Sequence, residues 1–132
     1  MPARLGAFLM FDDGRAADAM AFTVSLFPDG KVESLRRWSP GEAGPEGAIM
    51  HAAFGIAGQR LMCIDSPAKH AFGFTPSVSL FVECDGAVEV DRLFAALSPG
   101  GGAPMPLDAY PFAERFAWLN DRFGVSWQLR FT

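Results

Sequence analysis

The sequence predicts an α+β fold in which a βαβββ module occurs twice along one chain. Apolar residues alternate between a period of two, typical of strands, and a helical period of about 3.6. Clusters of Gly, Pro and Asp separate these segments. The order strand, helix and three strands occurs in each half, over roughly 65 residues. We therefore predict a single domain over residues 1–132, with modules at about 4–65 and 77–131 and a linker at 66–76.

The first module begins with a strand and a helix. Residues 5–11 form an apolar run too short for a globular helix, so we predict a strand buried on both faces. Apolar residues then recur at helical spacing over residues 16–27, and the carboxylate of Asp13 is predicted to cap the opening turn. Three strands follow at 32–38, 49–56 and 60–65, the last two joined by a hairpin at Ala57-Gly58-Gln59.

The second module repeats this order. A strand at 78–84 precedes an amphipathic helix ending near Leu97, and weaker and stronger strands follow at 103–107, 112–119 and 125–131. Before the last strand, Asp121 is predicted to form an Asx turn that Gly124 closes with a positive φ. Because one module cannot close its sheet, we predict that the pair forms a curved, barrel-like sheet around a concave pocket, with the helices outside.

Charge and composition exclude several classes of protein. The net charge is −4 and the basic residues form no stripe, which argues against nucleic-acid binding. No apolar segment approaches the ~18 residues that a membrane helix needs, and the start lacks a secretory apolar run. Cys63 and Cys84 lack CxxC spacing and are interpreted as buried thiols. These features predict a cytoplasmic protein.

Three segments together resemble a known family. They are FLMFD at 8–12 with SLFPD at 25–29, GPEG at 44–47 before MHAAF at 50–54, and WLNDRFGVSWQL at 118–129. The last matches the pattern W-x-x-D-x-F-G-V-S-W-Q at every fixed position. They are similar to the PhnB-like branch of the vicinal oxygen chelate (glyoxalase/bleomycin-resistance) superfamily, whose members are often labelled 3-demethylubiquinone 3-methyltransferases. The resemblance implies the paired βαβββ fold and a homodimer.

The resemblance also implies where a catalytic metal would bind. Aligned by element, the superfamily's four ligand positions fall at Phe8, Cys63, Val78 (give or take one) and Gln128. Phe and Val supply no lone pair, so a four-ligand site would be at least half missing. We therefore predict no metal in the superfamily manner, and no other cofactor.

Five residues are candidates for a ligand pocket: His51, Cys63, Ser126, Gln128 and Trp118. Each has a competing structural interpretation. His51 fits a hydrogen-bonded strand residue, Cys63 fits a packing thiol among apolar neighbours, and Trp118, like Trp38, fits a core aromatic as well as a pocket wall. Strand alternation predicts that if Ser126 and Gln128 face the pocket, Trp127 faces the helices.

Three functions remain open. The first is a binding module that holds a small organic ligand without metal or chemistry. The second is a divergent lyase, isomerase or dioxygenase using His51, Gln128 and a carboxylate such as Asp12 or Asp65 for acid–base catalysis. The third, methyl transfer, ranks last. The sequence has no G-x-G turn opening a helix, and its only glycine run, at 100–102, follows the second predicted helix.

Overall fold

A computed structural model of the chain describes residues 2–132. The chain divides into two compact units, Met1–Gly73 and Phe74–Thr132. Each unit contains a strand, a helix and three further strands, in that order. The predicted α+β class and the two βαβββ modules are therefore confirmed, whereas the single-domain organisation stays a prediction.

The first unit is a four-stranded mixed sheet with one helix. Its elements are β1 (Ala7–Phe11), α1 (Ala16–Ser25), β2 (Lys31–Arg37), β3 (Ile49–Ile56) and β4 (Gln59–Asp65). The strand order is β1-β4-β3-β2, with β1 parallel to β4 and the other pairs antiparallel. Strands β1 and β2 therefore lie at the two edges of the sheet. Helix α1 follows β1, and the loop 38–48 joins β2 to β3.

The second unit repeats the same topology. Its elements are β5 (Leu80–Glu83), α2 (Ala87–Leu97), β6 (Gly102–Tyr110), β7 (Ala113–Asn120) and β8 (Ser126–Phe131). The order is β5-β8-β7-β6, with β5 parallel to β8. Strand β6 is longer than the predicted 103–107. It lies at the edge of the sheet, where Pro104, Pro106 and three register shifts are tolerated.

Helix α1 covers one face of the first sheet. Leu61, Cys63 and Asp65 alternate along β4 on that face and are each 1% exposed. Phe8 and Met62 pair with each other and lie on the opposite, open face, where Phe8 is 54% exposed. The prediction that the first strand is buried on both faces is therefore wrong, because the helix covers only one side of this edge strand.

Helix α2 covers one face of the second sheet in the same manner. Leu119 pairs with Trp127 on the helix side, and both side chains are buried. The pairs on either side of it, Trp118 with Gln128 and Asn120 with Ser126, lie on the open face. Ser126 and Gln128 therefore share one face of β8 and Trp127 lies on the other, as strand alternation predicted.

Buried carboxylates fix two junctions of the backbone. The carboxylate of Asp65 accepts hydrogen bonds from Ala16 N (3.0 Å) and Ile49 N (2.8 Å), so β4 caps α1 and holds the start of β3. The prediction that Asp13 caps α1 is wrong: its carboxylate instead bonds Arg15 N and pairs with the Arg15 side chain. The cap comes from a residue that only the fold brings to the helix.

In the second unit the predicted Asx turn is confirmed. Asp121 Oδ1 accepts hydrogen bonds from Phe123 N (2.8 Å) and Val125 N (3.1 Å), and Gly124 has a φ of 91°. Its other oxygen accepts from Trp127 Nε1 at 2.9 Å. Asp121 thus joins the turn to the helix side of β8. Among residues 2–132, no helix is long and apolar enough to cross a membrane.

Candidate functional site

A chain of hydrogen-bonded side chains crosses the open face of the second sheet. Trp118 Nε1 donates to Ser126 Oγ at 3.0 Å, Ser126 Oγ and Ser79 Oγ lie 2.7 Å apart, and Gln128 Nε2 donates to Ser79 Oγ at 3.3 Å. We call these four residues the polar cluster. Ser126 is only 2% exposed, while Trp118 and Gln128 are half-buried. The cluster therefore has a buried end and an end that a ligand can reach.

Strand pairing explains why these residues meet. Gln128 pairs across the sheet with Trp118 on one side and with Phe81 on the other, so all three share the open face. Ser79 lies immediately before β5, whose parallel pairing brings it beside Ser126 although 47 positions separate them. Parallel pairing of distant strands therefore assembles the cluster.

Aromatic and charged groups flank the polar cluster on the same face. The guanidinium of Arg130 lies 4.9 Å from the centre of the Phe81 ring and forms an ion pair with Glu83, which raises the pKa of Arg130. Phe116 pairs with Arg130 and packs edge-on against Tyr110 and Phe112. The surroundings are thus apolar, and the charges on this rim already have partners.

The open face of the first sheet has a different chemistry. His51 lies there, with its ring edge-on to Phe8 at 6.0 Å between centroids, and it pairs across the sheet with Arg36. Trp38 belongs to the scaffold, since its Nε1 donates to the carbonyl oxygen of Asp65 at 2.9 Å. His70 packs within the linker, where it stacks on Phe72 and contacts Ser66 through Nε2. The first open face therefore has one imidazole and no comparable cluster among the described residues.

Cys63 lies on the helix side of the first sheet, on the face opposite His51. Burial, reinforced by the nearby Asp65 carboxylate, raises the pKa of its thiol to about 12. Burial and, to a lesser extent, Glu89 likewise raise the pKa of Cys84, to about 11. Both thiols are free and stay protonated at neutral pH. The structure thus favours the packing interpretation and removes Cys63 from the open face that was predicted to line the pocket.

The structure brings together three of the five predicted pocket residues, Trp118, Ser126 and Gln128, and separates His51 from Cys63 by the thickness of a sheet. Sequence reasoning missed Ser79, Phe81 and Arg130. The available signal was the alternation along residues 78–84, which places Ser79 and Phe81 on one side of a strand. Their pairing partner could not be read from that pattern.

The positions that would hold the superfamily's metal do not fit a divalent cation. Phe8 has no donor atom, Cys63 is a buried and protonated thiol, and Val78 is a 77% exposed apolar side chain. Ser79 beside it and Gln128 are hydrogen-bonded to each other. Within residues 2–132, no three His, Cys, Asp or Glu side chains form a group that could hold a metal ion. Divalent transition metals need several thiolate, imidazole or carboxylate ligands, which this set lacks.

The acid–base set of the enzyme hypothesis is not assembled either. Asp65 lies under α1 with both oxygens bonded to backbone N–H groups, on the face opposite His51. The carboxylate of Asp12 accepts a hydrogen bond from His70 N at 3.2 Å. Neither carboxylate therefore partners the imidazole of His51.

Neither helix is preceded by a glycine-rich loop of the kind that binds a methyl-donating nucleotide cofactor. Helix α1 follows Asp12-Asp13-Gly14-Arg15 and α2 follows Asp85-Gly86, so neither helix opens with the G-x-G turn that lets a backbone approach such a group. The three glycines at 100–102 follow the last turn of α2. The residues at these helix starts do not fit S-adenosylmethionine.

Comparison with known proteins gives consistent results. The family model described as 3-demethylubiquinone-9 3-methyltransferase matches residues 3–130. A PhnB protein from Bacillus cereus is 45% identical, with a TM-score of 0.94 over 98% of this chain and 100% of that one. A protein from Pseudomonas aeruginosa is 30% identical, with a TM-score of 0.86 over 98% of each chain. No curated protein matches the sequence.

A more distant likeness concerns the fold alone. A mutant of FosX from Listeria monocytogenes, a fosfomycin resistance protein of the vicinal oxygen chelate superfamily, is 14% identical, with a TM-score of 0.63 over 98% of this chain and 93% of that one. That mutant was solved with Mn(II) and 1S,2S-dihydroxypropylphosphonic acid. The likeness supports a glyoxalase/bleomycin-resistance fold for this chain.

Proposed function

The chain belongs to the 3-demethylubiquinone-9 3-methyltransferase family, in the PhnB-like branch of the vicinal oxygen chelate superfamily, and from that premise we propose that it binds a small organic molecule without a metal ion. The ligand lies on the open face of the second sheet, against the polar cluster. Neither a methyl transfer nor a metal-assisted reaction is part of the proposal.

One observation carries this proposal: the polar cluster is flanked by aromatic side chains on a face where the charged groups Arg130 and Glu83 are paired with each other. Small-molecule sites combine apolar and aromatic walls with a few polar groups that fix orientation. Trp118 offers a large half-buried ring, and Ser79, Ser126 and Gln128 offer hydrogen-bonding atoms beside it. The hydrogen bonds that link these side chains also hold them in place, so the face presents its polar groups in a fixed arrangement.

The side chains at the superfamily's metal-ligand positions support binding without a metal ion. The four positions that the resemblance assigns to the superfamily's metal ligands hold Phe8, Cys63, Val78 and Gln128, of which only the last presents an accessible side-chain oxygen or nitrogen. Ligand binding through hydrogen bonds and aromatic contact needs no Lewis acid. Affinity should then be indifferent to chelators.

The test is a screen of small planar fragments against ¹⁵N-labelled protein by two-dimensional NMR. The indole N–H signal of Trp118 is assigned by its loss in a Trp118→Phe variant, which leaves the signals of Trp38 and Trp127. Ligands are expected to shift the Trp118 indole and the amides of β7 and β8. Shifts confined to the neighbourhood of His51 and Phe8 would reject the proposed face.

A second measurement addresses the metal. Tag-free protein is analysed for metal as isolated and after dialysis against Zn²⁺, Ni²⁺, Mn²⁺ and Fe²⁺, and ligand affinity is then compared with and without EDTA. We expect no retained metal and equal affinities. Near one metal per chain, with binding lost on chelation, would contradict the proposal and restore the enzyme hypothesis.

We further propose that the chain pairs as a homodimer. Apolar side chains that remain exposed in the single chain support this, since a second copy could cover them: Leu5, Phe8, Phe72, Val78 and Val88. Sedimentation equilibrium at micromolar concentration is expected to give twice the chain mass. A monomer across the concentration range would reject pairing and leave the ligand proposal intact.

A further inference from the structure

The two serine hydroxyls of the polar cluster hold a hydrogen atom that the protein does not use. Ser126 Oγ accepts from Trp118 Nε1, and Ser79 Oγ accepts from Gln128 Nε2. The hydroxyls together carry two hydrogens, and the bond between them uses only one. Within residues 2–132, no further acceptor contacts either hydroxyl. The spare hydrogen is on Ser79 when Ser126 donates to it, and in that arrangement a ligand can reach it, because Ser79 is half-buried whereas Ser126 is only 2% exposed.

The side-chain amide of Gln128 supplies an acceptor beside that donor. Its nitrogen donates to Ser79, and among the described residues no donor reaches its oxygen. Every buried side-chain nitrogen or oxygen in the described chain has a partner, so this oxygen is accessible from outside. A carbonyl oxygen carries two lone pairs and accepts readily. A free donor and a free acceptor thus lie side by side at the accessible end of the cluster.

Charge around this pair restricts the ligand further. The guanidinium of Arg130, on the same face, is paired with Glu83 and packed over Phe81. A charged ligand would give up its hydration beside Trp118 without meeting an unpaired opposite charge, which is unfavourable. The pair therefore suits an uncharged ligand.

We propose that this edge recognises a neutral planar molecule that carries a carbonyl oxygen and an N–H on adjacent atoms, as a lactam ring does. The ligand carbonyl accepts from the Ser79 hydroxyl, its N–H donates to Gln128 Oε1, and its ring lies against Trp118. This inference rests on the proposed function, because it names the class of ligand that the same face binds.

The test uses two isomers that differ only in where a methyl group sits. 4-Methyl-2-quinolinone keeps the lactam edge, and 1-methyl-2-quinolinone replaces the N–H with N–CH₃ at equal size. Dissociation constants are measured by NMR titration on the Trp118 indole and by calorimetry. The 4-methyl isomer is expected to bind at least about tenfold more tightly, because the 1-methyl isomer leaves an acceptor unpaired.

A protein variant then tests whether the difference in affinity between the two isomers comes from Gln128 Oε1. In Gln128→Met the amide oxygen is gone, and the two isomers are expected to bind within about twofold of each other. Gln59→Met, the same replacement at an exposed residue of β4, is the matched control and should keep the tenfold gap. Since the wild-type comparison needs no variant, it decides the inference even if Gln128→Met folds poorly.

The outcomes separate the two proposals. Equal binding of both isomers with shifts at Trp118 would overturn the lactam inference and support the binding face. Binding of neither isomer at millimolar concentration would also overturn the inference, while the wider fragment screen decides the proposed function independently. A tenfold gap that persists in Gln128→Met would reject Gln128 as the acceptor.

Discussion

The two units share one topology, yet their open faces differ in chemistry. In the first unit this face carries Phe8, Met62 and His51, and in the second it carries a linked set of hydroxyl, amide and indole groups. The helix-covered faces are alike, with alternating buried side chains on the central strands. The shared topology thus determines which strand positions point away from the helix. The residues at those positions decide whether the face can recognise a ligand.

The buried carboxylates give a second comparison. Asp65 bonds two backbone N–H groups that are 49 and 16 positions away, whereas Asp121 bonds groups two, four and six positions away. The first carboxylate joins separate elements of its unit, and the second organises a single turn. We expect their removal to differ in cost accordingly.

The largest effect is expected for Asp65→Ala. Two buried N–H groups, those of Ala16 and Ile49, would lose their acceptor at ~1–3 kcal/mol each, which lowers the free energy of unfolding by about 4 kcal/mol. Urea unfolding followed by circular dichroism measures the loss. Asp13→Ala is the control, with a change within about 0.5 kcal/mol, because its contacts are exposed. Equal losses in the two variants would restore Asp13 as the cap of α1.

A smaller loss, about 2 kcal/mol, is expected for Asp121→Ala. The N–H groups of Phe123 and Val125 are buried, and we expect the short turn to rearrange in the variant so that water reaches them, whereas the Trp127 indole N–H stays under α2 without its acceptor. The measurement is again urea unfolding, repeated in a Trp127→Phe background where the indole is absent. There Asp121→Ala should cost less, and an unchanged cost would show that the turn alone accounts for the effect.

The contrast between open faces predicts a difference in ligand affinity. Gln128→Ala is expected to weaken binding of 4-methyl-2-quinolinone by about tenfold, the cost of one hydrogen bond to a neutral partner. His51→Ala, on the open face of the other sheet, should leave the affinity within about twofold. Calorimetric titration measures both. The reverse order would transfer the binding site to the first unit.

The smallest effect concerns pH and Asp29. Hydrogen bonds from the N–H groups of Gly58 and then Ala57 lower the pKa of this exposed carboxyl below 3.8. A folded-state pKa that is depressed contributes stability above the unfolded pKa, and that stability is lost as pH falls through the folded value. Between about pH 5 and 3, wild-type protein should therefore lose more stability than Asp29→Asn.

The control for this measurement is Glu46→Gln, which alters a carboxylate in the exposed loop between β2 and β3. Its urea midpoints should follow those of the wild type at both pH values. If Asp29→Asn also follows the wild type, the hydrogen bonds to the hairpin make no net contribution. Ala57 has a φ of 48°, which is unfavourable for a residue other than glycine. The hydrogen bonds from Ala57 N and Gly58 N to Asp29 help to hold the hairpin turn in this conformation.

Local patterns in the sequence determined much of the fold. The bounds of β3 agree with the predicted 49–56, since a mostly apolar run between turn residues leaves little choice. The Asx turn at Asp121 was predictable because its partners lie within four positions in the backbone. That Trp127 faces the side opposite Ser126 and Gln128 follows from alternation alone, whereas the side that faces the helix does not. The matching motif segments also led to the family, which the comparisons bear out.

Only the tertiary structure decided which distant residues meet. Ser79 joins the polar cluster because β5 pairs in parallel with β8, and Asp65 caps α1 because β4 ends beside the helix start. Cys63 faces α1 and not the open side because of how the first sheet packs on its helix. Periodicity along a chain reports the local backbone and the side that each residue faces, whereas partners 47 or 49 positions away depend on strand order and register, which arise from packing of the whole unit.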